Sequence, residues 1–180
     1  MAFHPEDRVV ASCSEDSSIK LWNLDDGDLI STMTGHQHGV SSVHFSPDGT
    51  RLVTGSYDKT VKIWNPATGE ELCQLSGEKQ IISVAFSPDG SLIAAGDGDS
   101  WEAGTIRLYN AATGDPFGSP LNVGSLVWSV SFSPAGDIVA AGCDDGTVQL
   151  IDVATAEVKR PLRGHRYTPS PRLDLEKNCI

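Results

Sequence analysis

Short segments with alternating polar and apolar residues recur along the chain. The clearest of them lie at residues 18–22, 41–45, 60–64, 105–109 and 129–132. Alternation with a period of two is typical of β-strands that bury one face, and no stretch sustains the 3.6-residue period of an amphipathic helix. Turn-forming residues separate the segments, as at 46–49, where proline presets φ and glycine accepts a positive φ. The pattern predicts an all-β chain.

The strand segments belong to a sequence repeat with a period near 42 residues. A phrase of the type Phe-Ser-Pro-Asp-Gly occurs four times, with its phenylalanine at Phe3, Phe45, Phe86 and Phe132, so the intervals are 42, 41 and 46 residues. A second landmark follows 19 residues later in three copies, at Trp22, Trp64 and Ile151, and 23 residues later in the third copy, at Tyr109. Each period has room for about four strands, which predicts four repeated β-sheets.

The second copy carries the most specific motif. It contains Gly35-His36, then Val43-x-Phe45-Ser46-Pro47-Asp48-Gly49, then Thr54-Gly55-Ser56-x-Asp58-x-Thr60-Val61-x-Ile63-Trp64-Asn65, and finally Thr68-Gly69. This copy resembles a WD repeat of the β-propeller family, with Trp-Asn in place of the usual Trp-Asp. The resemblance extends over about residues 1–165. Less specifically, residues 118–121 and 160–165 resemble the repeat endings of large fungal signalling NTPases that carry WD-repeat arrays.

The resemblance implies WD-repeat β-propeller blades, each tied together by a hydrogen-bonded set of His, Ser or Thr, Asp and Trp. The second copy has all four at matching positions: His36, Thr54, Asp58 and Trp64. The first copy has three of them, Ser12, Asp16 and Trp22, and its histidine position lies before Met1. The third copy has Ala95 and Tyr109 instead, and the fourth retains only Asp145. Blade 2 is therefore predicted to be the best tied, and blades 3 and 4 to depend on apolar packing.

The expected blade boundaries follow from these landmarks. Blade 1 covers residues 1–34 with its innermost strand truncated, and blade 2 covers 35–76. Blade 3 covers 77–121, with an insertion at 97–104, and blade 4 covers 122–165. Residues 166–180 are predicted to be a divergent, disordered tail, because two prolines exclude a central strand there. Three arrangements stay open at this point: an open four-blade arc, a ring closed by other chains, and a strained four-blade closure.

Composition narrows the class of protein. The 180 residues include 13 Lys+Arg against 24 Asp+Glu, a net charge of −11, which disfavours nucleic acid as a partner. No apolar run is long enough to span a membrane, and no secretory signal is visible at residues 1–7. Four cysteines without a pairing pattern indicate reduced thiols. We therefore predict a cytoplasmic protein, with the nucleus as the alternative.

Candidate chemical sites are few. The group His36, His38 and His44 lacks further ligands at zinc spacing, and residues 97–102 lack the spacing of a calcium loop. No nucleophile motif and no phosphate-binding loop is present. We therefore predict neither an enzyme nor a bound metal or cofactor.

The remaining candidate is a protein-binding surface. In the family that the chain resembles, the loops before the first strand and after the second gather on one face that binds peptides. The matching positions are Glu15, His38, Ser41, Tyr57, Ile82, Trp101, Trp128 and Asp144. Trp101 and Trp128 are the strongest candidates because tryptophan is enriched at binding hot spots, although packing between blades is an equal alternative for Trp128.

These observations predict a non-enzymatic interaction scaffold that binds a protein or peptide through its loops. Residues 1–156 hold 7 basic and 21 acidic side chains, a net charge of −14 that favours a basic partner segment. Self-association through exposed blade edges is a further expectation. The alternative function is a sensor or regulatory portion of a larger signalling NTPase whose catalytic domain is not in this sequence.

Overall fold

The chain folds into four four-stranded antiparallel sheets, each built from four consecutive strands. The computed structural model describes residues 1–99 and 103–165. Blade 1 contains β1 (Ala2–Phe3), β2 (Val9–Cys13), β3 (Ser18–Asn23) and β4 (Leu29–Thr34). Blade 2 contains β5 (Val40–Phe45), β6 (Leu52–Ser56), β7 (Thr60–Trp64) and β8 (Glu71–Ser76). Blade 3 contains β9 (Ile81–Phe86), β10 (Leu92–Asp97), β11 (Thr105–Asn110) and β12 (Leu121–Asn122). Blade 4 contains β13 (Val127–Phe132), β14 (Ile138–Cys143), β15 (Thr147–Asp152) and β16 (Glu157–Arg163).

The all-β fold predicted from the alternating pattern is confirmed, and several details of the blades are added to it. The first strand of blade 1 has 2 residues, whereas its counterpart β5 has 6. Strand β12 crosses the expected boundary between residues 121 and 122. Residues 100–102 of the expected insertion and the expected tail at 166–180 lie outside the described residues.

Antiparallel pairing gives every sheet two edges at which the chain turns. The second and third strands of each blade are joined at one edge, where the loops between blades also lie, and we call this the top edge. The remaining turns, including those at 46–49 and 65–70, lie at the opposite, bottom edge.

Apolar layers between neighbouring sheets form the core. Strand residues alternate between the two faces of a sheet, so each blade supplies one apolar row to the preceding blade and one to the next. Ile19 and Met33 of blade 1 pack with Val43 and Phe45 of blade 2 in the first layer. Two further layers of the same kind join blade 2 to blade 3 and blade 3 to blade 4.

The four blades are not closed into a ring within the described residues. Blade 1 packs on blade 2, and blade 4 packs on blade 3 through β9, β10 and β13. Equivalent side chains show the consequence, since Phe45 is 4% exposed and Phe3 is 72% exposed. Likewise Leu75 is 7% exposed, whereas its equivalent Leu162 is 44% exposed. The described residues are unclosed, so they do not adopt the strained four-blade closure; the open arc and the ring closed by other chains both stay predictions.

Candidate protein-interaction surface

A connected set of buried hydrogen bonds spans the top edge of blade 2. His36 Nε2 lies 2.7 Å from Thr54 Oγ1, and His36 Nδ1 lies 2.8 Å from Asp58 Oδ2. Trp64 Nε1 donates to Thr54 Oγ1 at 2.9 Å. A carboxylate only accepts, so His36 is protonated on Nδ1 and receives the threonine proton at Nε2. The set therefore joins β6, β7, the turn between them and the loop before β5 through one neutral imidazole.

The protonation states in this set follow from burial and hydrogen bonding. Burial lowers the pKa of His36 below its usual 6.5, against the raising effect of Asp58. Burial alone would raise the pKa of Asp58, but hydrogen bonds from Thr60, the Gln37 amide and His36 outweigh it and lower the pKa to about 2. At neutral pH the pair is a neutral histidine hydrogen-bonded to an ionised carboxylate.

Blade 1 contains two parts of this hydrogen-bonded set, the tryptophan–hydroxyl bond and the aspartate turn, which are not connected to each other. Trp22 Nε1 donates to Ser12 Oγ at 2.8 Å, as Trp64 does to Thr54 in blade 2. Asp16 accepts hydrogen bonds from the Ser18 hydroxyl at 2.6 Å and the Ser18 amide at 2.9 Å, which lower its pKa. No imidazole links the two parts within the described residues of this blade.

Blade 3 replaces the histidine set by a charged one. Arg107 on β11 forms an ion pair with Asp97 at the end of β10, and its other terminal nitrogen lies 3.4 Å from Glu78. Asp97 also accepts the Thr105 amide at 2.7 Å, in the way that Asp58 accepts the Thr60 amide in blade 2. This pair adds a polar contact to blade 3, which the sequence predicts to depend on apolar packing. Burial raises the pKa of Asp97, opposed by the Thr105 amide and by Arg107.

Blade 4 keeps the aspartate of the turn and adds a contact on the surface. Asp145 accepts the Thr147 hydroxyl at 2.6 Å and the Thr147 amide at 2.9 Å. The preceding residue, Asp144, accepts the indole N–H of Trp128 at 2.9 Å. The Trp128 side chain is 57% exposed.

Three of the sequence-predicted partner-binding residues line one cavity at the top edge. Tyr57 of blade 2, Ile82 of blade 3 and Trp128 of blade 4 surround a volume of about 350 Å³, together with Gln80 and Leu126. The side chains belong to three blades, so the packing of the blades brings them together. We call this cavity and its rim the top surface.

Two of the other predicted residues, Glu15 and His38, lie near Tyr57. The backbone of Glu15 and the ring of Tyr57 both lie against Gly39, where an added Cβ would be 3.0 Å from Glu15 Cα and 3.3 Å from Tyr57 Cδ2. His38 shares a neighbouring cavity of about 540 Å³ with Tyr57.

Two predicted residues do not add to the surface described here. The hydroxyl of Ser41 lies 2.9 Å from the Gly55 carbonyl oxygen and 2.6 Å from that of Ile81, so it ties blade 2 to blade 3. Trp101 lies outside the described residues.

Tyr57, Ile82, Leu126 and Trp128 give the top surface its apolar side chains, and Asp144 places a carboxylate at the Trp128 indole. Across residues 1–99 and 103–165, no group of three or more His, Cys, Asp or Glu side chains is arranged to hold a metal ion. No helix in those ranges is long and apolar enough to cross a membrane. Gln80 and Leu126 were missed by the sequence reasoning because they lie in loops between blades, where the repeat pattern is weakest.

Comparison with known proteins agrees with the geometry. A family model described as the IFT122 first beta-propeller matches residues 1–170. The chain belongs to this WD-repeat β-propeller family. Protein groucho of Drosophila melanogaster, a curated relative, is 33% identical over 117 residues, which is 65% of this chain and 16% of groucho. The WD-repeat assignment made from the second copy of the repeat is confirmed, while the chain spans only a small part of that relative.

Proposed function

We propose that this WD-repeat protein is a non-enzymatic interaction scaffold whose top surface binds a partner protein or peptide. The observation that carries the proposal is the exposed indole of Trp128, held by Asp144 at the mouth of a cavity that three blades build. A large aromatic side chain in a fixed orientation beside a concave apolar patch is the usual composition of a binding hot spot.

The proposed partner segment is basic with an apolar anchor. The net charge of −11 favours the approach of a basic chain, and the exposed residues Glu15 and Asp144, each in the turn after a second strand, support this choice. Tyr57, Ile82 and Leu126 offer apolar contact for a side chain that enters the cavity.

Three further parts of the proposal concern the whole chain. The exposed apolar faces of blades 1 and 4, marked by Phe3 and Leu162, support self-association through the blade edges. The unpaired thiols of Cys13, Cys73 and Cys143 support a reducing compartment, for which we propose the cytoplasm or the nucleus. The alternative role as part of a signalling NTPase rests on the repeat endings alone, so the scaffold is the function that we propose.

Selection of peptides from a random display library tests the binding surface. The library is panned on the wild-type protein, and the enriched peptides are measured by fluorescence anisotropy on Trp128→Ala and on a double variant, Glu15→Lys with Asp144→Lys. We expect enrichment of basic peptides, a loss of at least tenfold in affinity for Trp128→Ala, and a weaker loss of about threefold to tenfold for the charge reversal.

The matched control is Glu70→Lys, which changes an exposed carboxylate at the bottom edge. Glu70→Lys retains peptide binding if the top surface is the site. Enriched peptides that bind Trp128→Ala as tightly as wild type, or that are weakened as much by Glu70→Lys, would overturn the proposal.

A further inference from the structure

A second cavity lies at the bottom edge, in the cleft between blades 1 and 2. It encloses about 560 Å³ and is distinct from the top surface. Val9 and Leu21 of blade 1 and Phe45 of blade 2 give it an apolar floor, and Glu6, Asp7 and Asp48 place three carboxylates around it.

The equivalent position between blades 2 and 3 is filled by an arginine of the chain itself. Arg51 reaches from blade 2 to blade 3, where its guanidinium donates to the Ala111 carbonyl oxygen at 2.6 Å. This contact shows that the geometry of the repeat accommodates an extended arginine side chain in the cleft between two blades, with a backbone carbonyl as its acceptor.

The register identifies the residues that take these places in the cleft between blades 1 and 2. Val9 corresponds to Arg51, since each precedes the strand residue that pairs with the blade's tryptophan. Pro66 corresponds to Ala111, since each follows the third-strand aromatic by two positions, and Pro66 lines the cavity. The cleft between blades 1 and 2 therefore corresponds to the cleft that Arg51 occupies between blades 2 and 3, but it has valine in place of the arginine.

The rim of the cleft is also held in place. His4 Nδ1 accepts the Asp7 amide at 2.8 Å, and its ring meets Phe45 edge-on with centroids 5.1 Å apart. The imidazole packs directly over Gly49, where a Cβ would clash with it. A cavity that is formed before its ligand arrives loses less conformational entropy on binding.

We propose that this cleft binds an arginine side chain from an extended segment of a partner protein. The aliphatic stem packs on Val9, Leu21 and Phe45, while the guanidinium lies among the three carboxylates near Pro66. Arginine suits this site better than lysine because its guanidinium is planar, weakly hydrated and rich in donors. The inference does not depend on the top surface, because the cleft lies at the opposite edge of the sheets.

Nuclear magnetic resonance of the ¹⁵N-labelled chain tests the proposal with one defined probe. The probe is acetyl-Gly-Leu-Arg-Leu-Gly-amide, and the same peptide with citrulline in place of arginine is the uncharged control. We expect the arginine peptide to shift the amides of Asp7, Asp48 and Ala67, and the citrulline peptide to bind at least fivefold more weakly.

Variants locate the binding within the cleft. Val9→Arg supplies the missing arginine from the chain itself and is expected to abolish binding, whereas the similarly shaped Val9→Thr retains it. Glu6→Gln with Asp7→Asn is expected to weaken binding about threefold to tenfold, because two exposed carboxylates are neutralised. Trp128→Ala at the top edge is expected to leave binding unchanged.

Three outcomes of the peptide experiments would overturn the inference. They are unchanged binding to Val9→Arg, equal binding of the citrulline peptide, and peptide-induced shifts confined to the top surface. Shifts of the cleft amides that grow with protein concentration in the absence of peptide would also overturn it, since they would assign the cleft to a second copy of this chain.

Discussion

The unclosed arrangement makes opposite predictions for the same substitution in two blades. Gly55 on β6 and Gly142 on β14 occupy equivalent positions, each at the end of a second strand. A Cβ at Gly55 would lie 2.5 Å from Ile81 Cγ2 and 3.0 Å from Val84 Cγ1 of the next blade, whereas a Cβ at Gly142 would meet nothing within 4 Å. Relief of the first overlap requires a shift of about 1 Å between packed blades, and overpacking of this size costs about 1–3 kcal/mol.

We therefore expect Gly55→Ala to lower the free energy of unfolding by about 1–3 kcal/mol. Gly142→Ala is expected to raise it by about 0.4–1 kcal/mol, because alanine restricts the unfolded chain without a clash. Urea denaturation followed by tryptophan fluorescence measures both values under the same conditions. Equal destabilisation by the two substitutions would refute the reasoning, since it would mean that another surface covers the face of blade 4.

Three other predictions concern the polar contacts. Thr54→Val should lower the free energy of unfolding by about 2–4 kcal/mol, because it leaves the buried His36 and Trp64 without their shared partner. Ser12→Ala should lower it by under about 1 kcal/mol, since water reaches the Trp22 indole. Urea denaturation compares the two variants. Asp97→Asn should lower the free energy of unfolding by about 3 kcal/mol, because it leaves Arg107 without its buried carboxylate. Thermal unfolding followed by circular dichroism tests this, and an unchanged melting temperature would contradict it. Burial lowers the pKa of His36, so the histidine takes up a proton at a higher pH in the unfolded state than in the folded state. The free energy of unfolding should therefore fall as the pH drops below 6.5. Urea denaturation at several pH values should show a smaller fall for His36→Gln.

The strands could be predicted from the sequence because their alternating pattern reflects which face of each sheet is buried. Phe45 and Phe86 mark the same buried position in successive blades, and their spacing identified the repeat. The pair between Asp97 and Arg107 could not be identified in the same way. It uses residue types outside the family's hydrogen-bonded set, and the insertion after Asp97 hides its partner in the next strand.

The top surface could be predicted only in part. Tyr57 follows from the position of its loop in the repeat, and Trp128, the second residue of β13, follows from the position of the first strand, because every blade presents both at the same edge. The direction of a side chain such as Ser41 depends on the distance between neighbouring blades, and this distance is set by the size of the apolar residues between them. Neither the periodicity nor the motif contains that information.

The polar contacts and the top surface share residues that are adjacent in the chain. In three blades the aspartate that closes the turn after the second strand directly follows a residue of the surface, and the pairs are Glu15 and Asp16, Tyr57 and Asp58, and Asp144 and Asp145. All three aspartates accept a hydroxyl at 2.6 Å and an amide at 2.9 Å from the residue two positions later. A turn held in this way fixes the direction of the preceding side chain before a partner arrives, and less conformational entropy is then lost on binding. The hydrogen bonds that stabilise these three turns therefore also hold the proposed binding residues in position, so a substitution such as Asp58→Ala should weaken the proposed partner binding as well as stability.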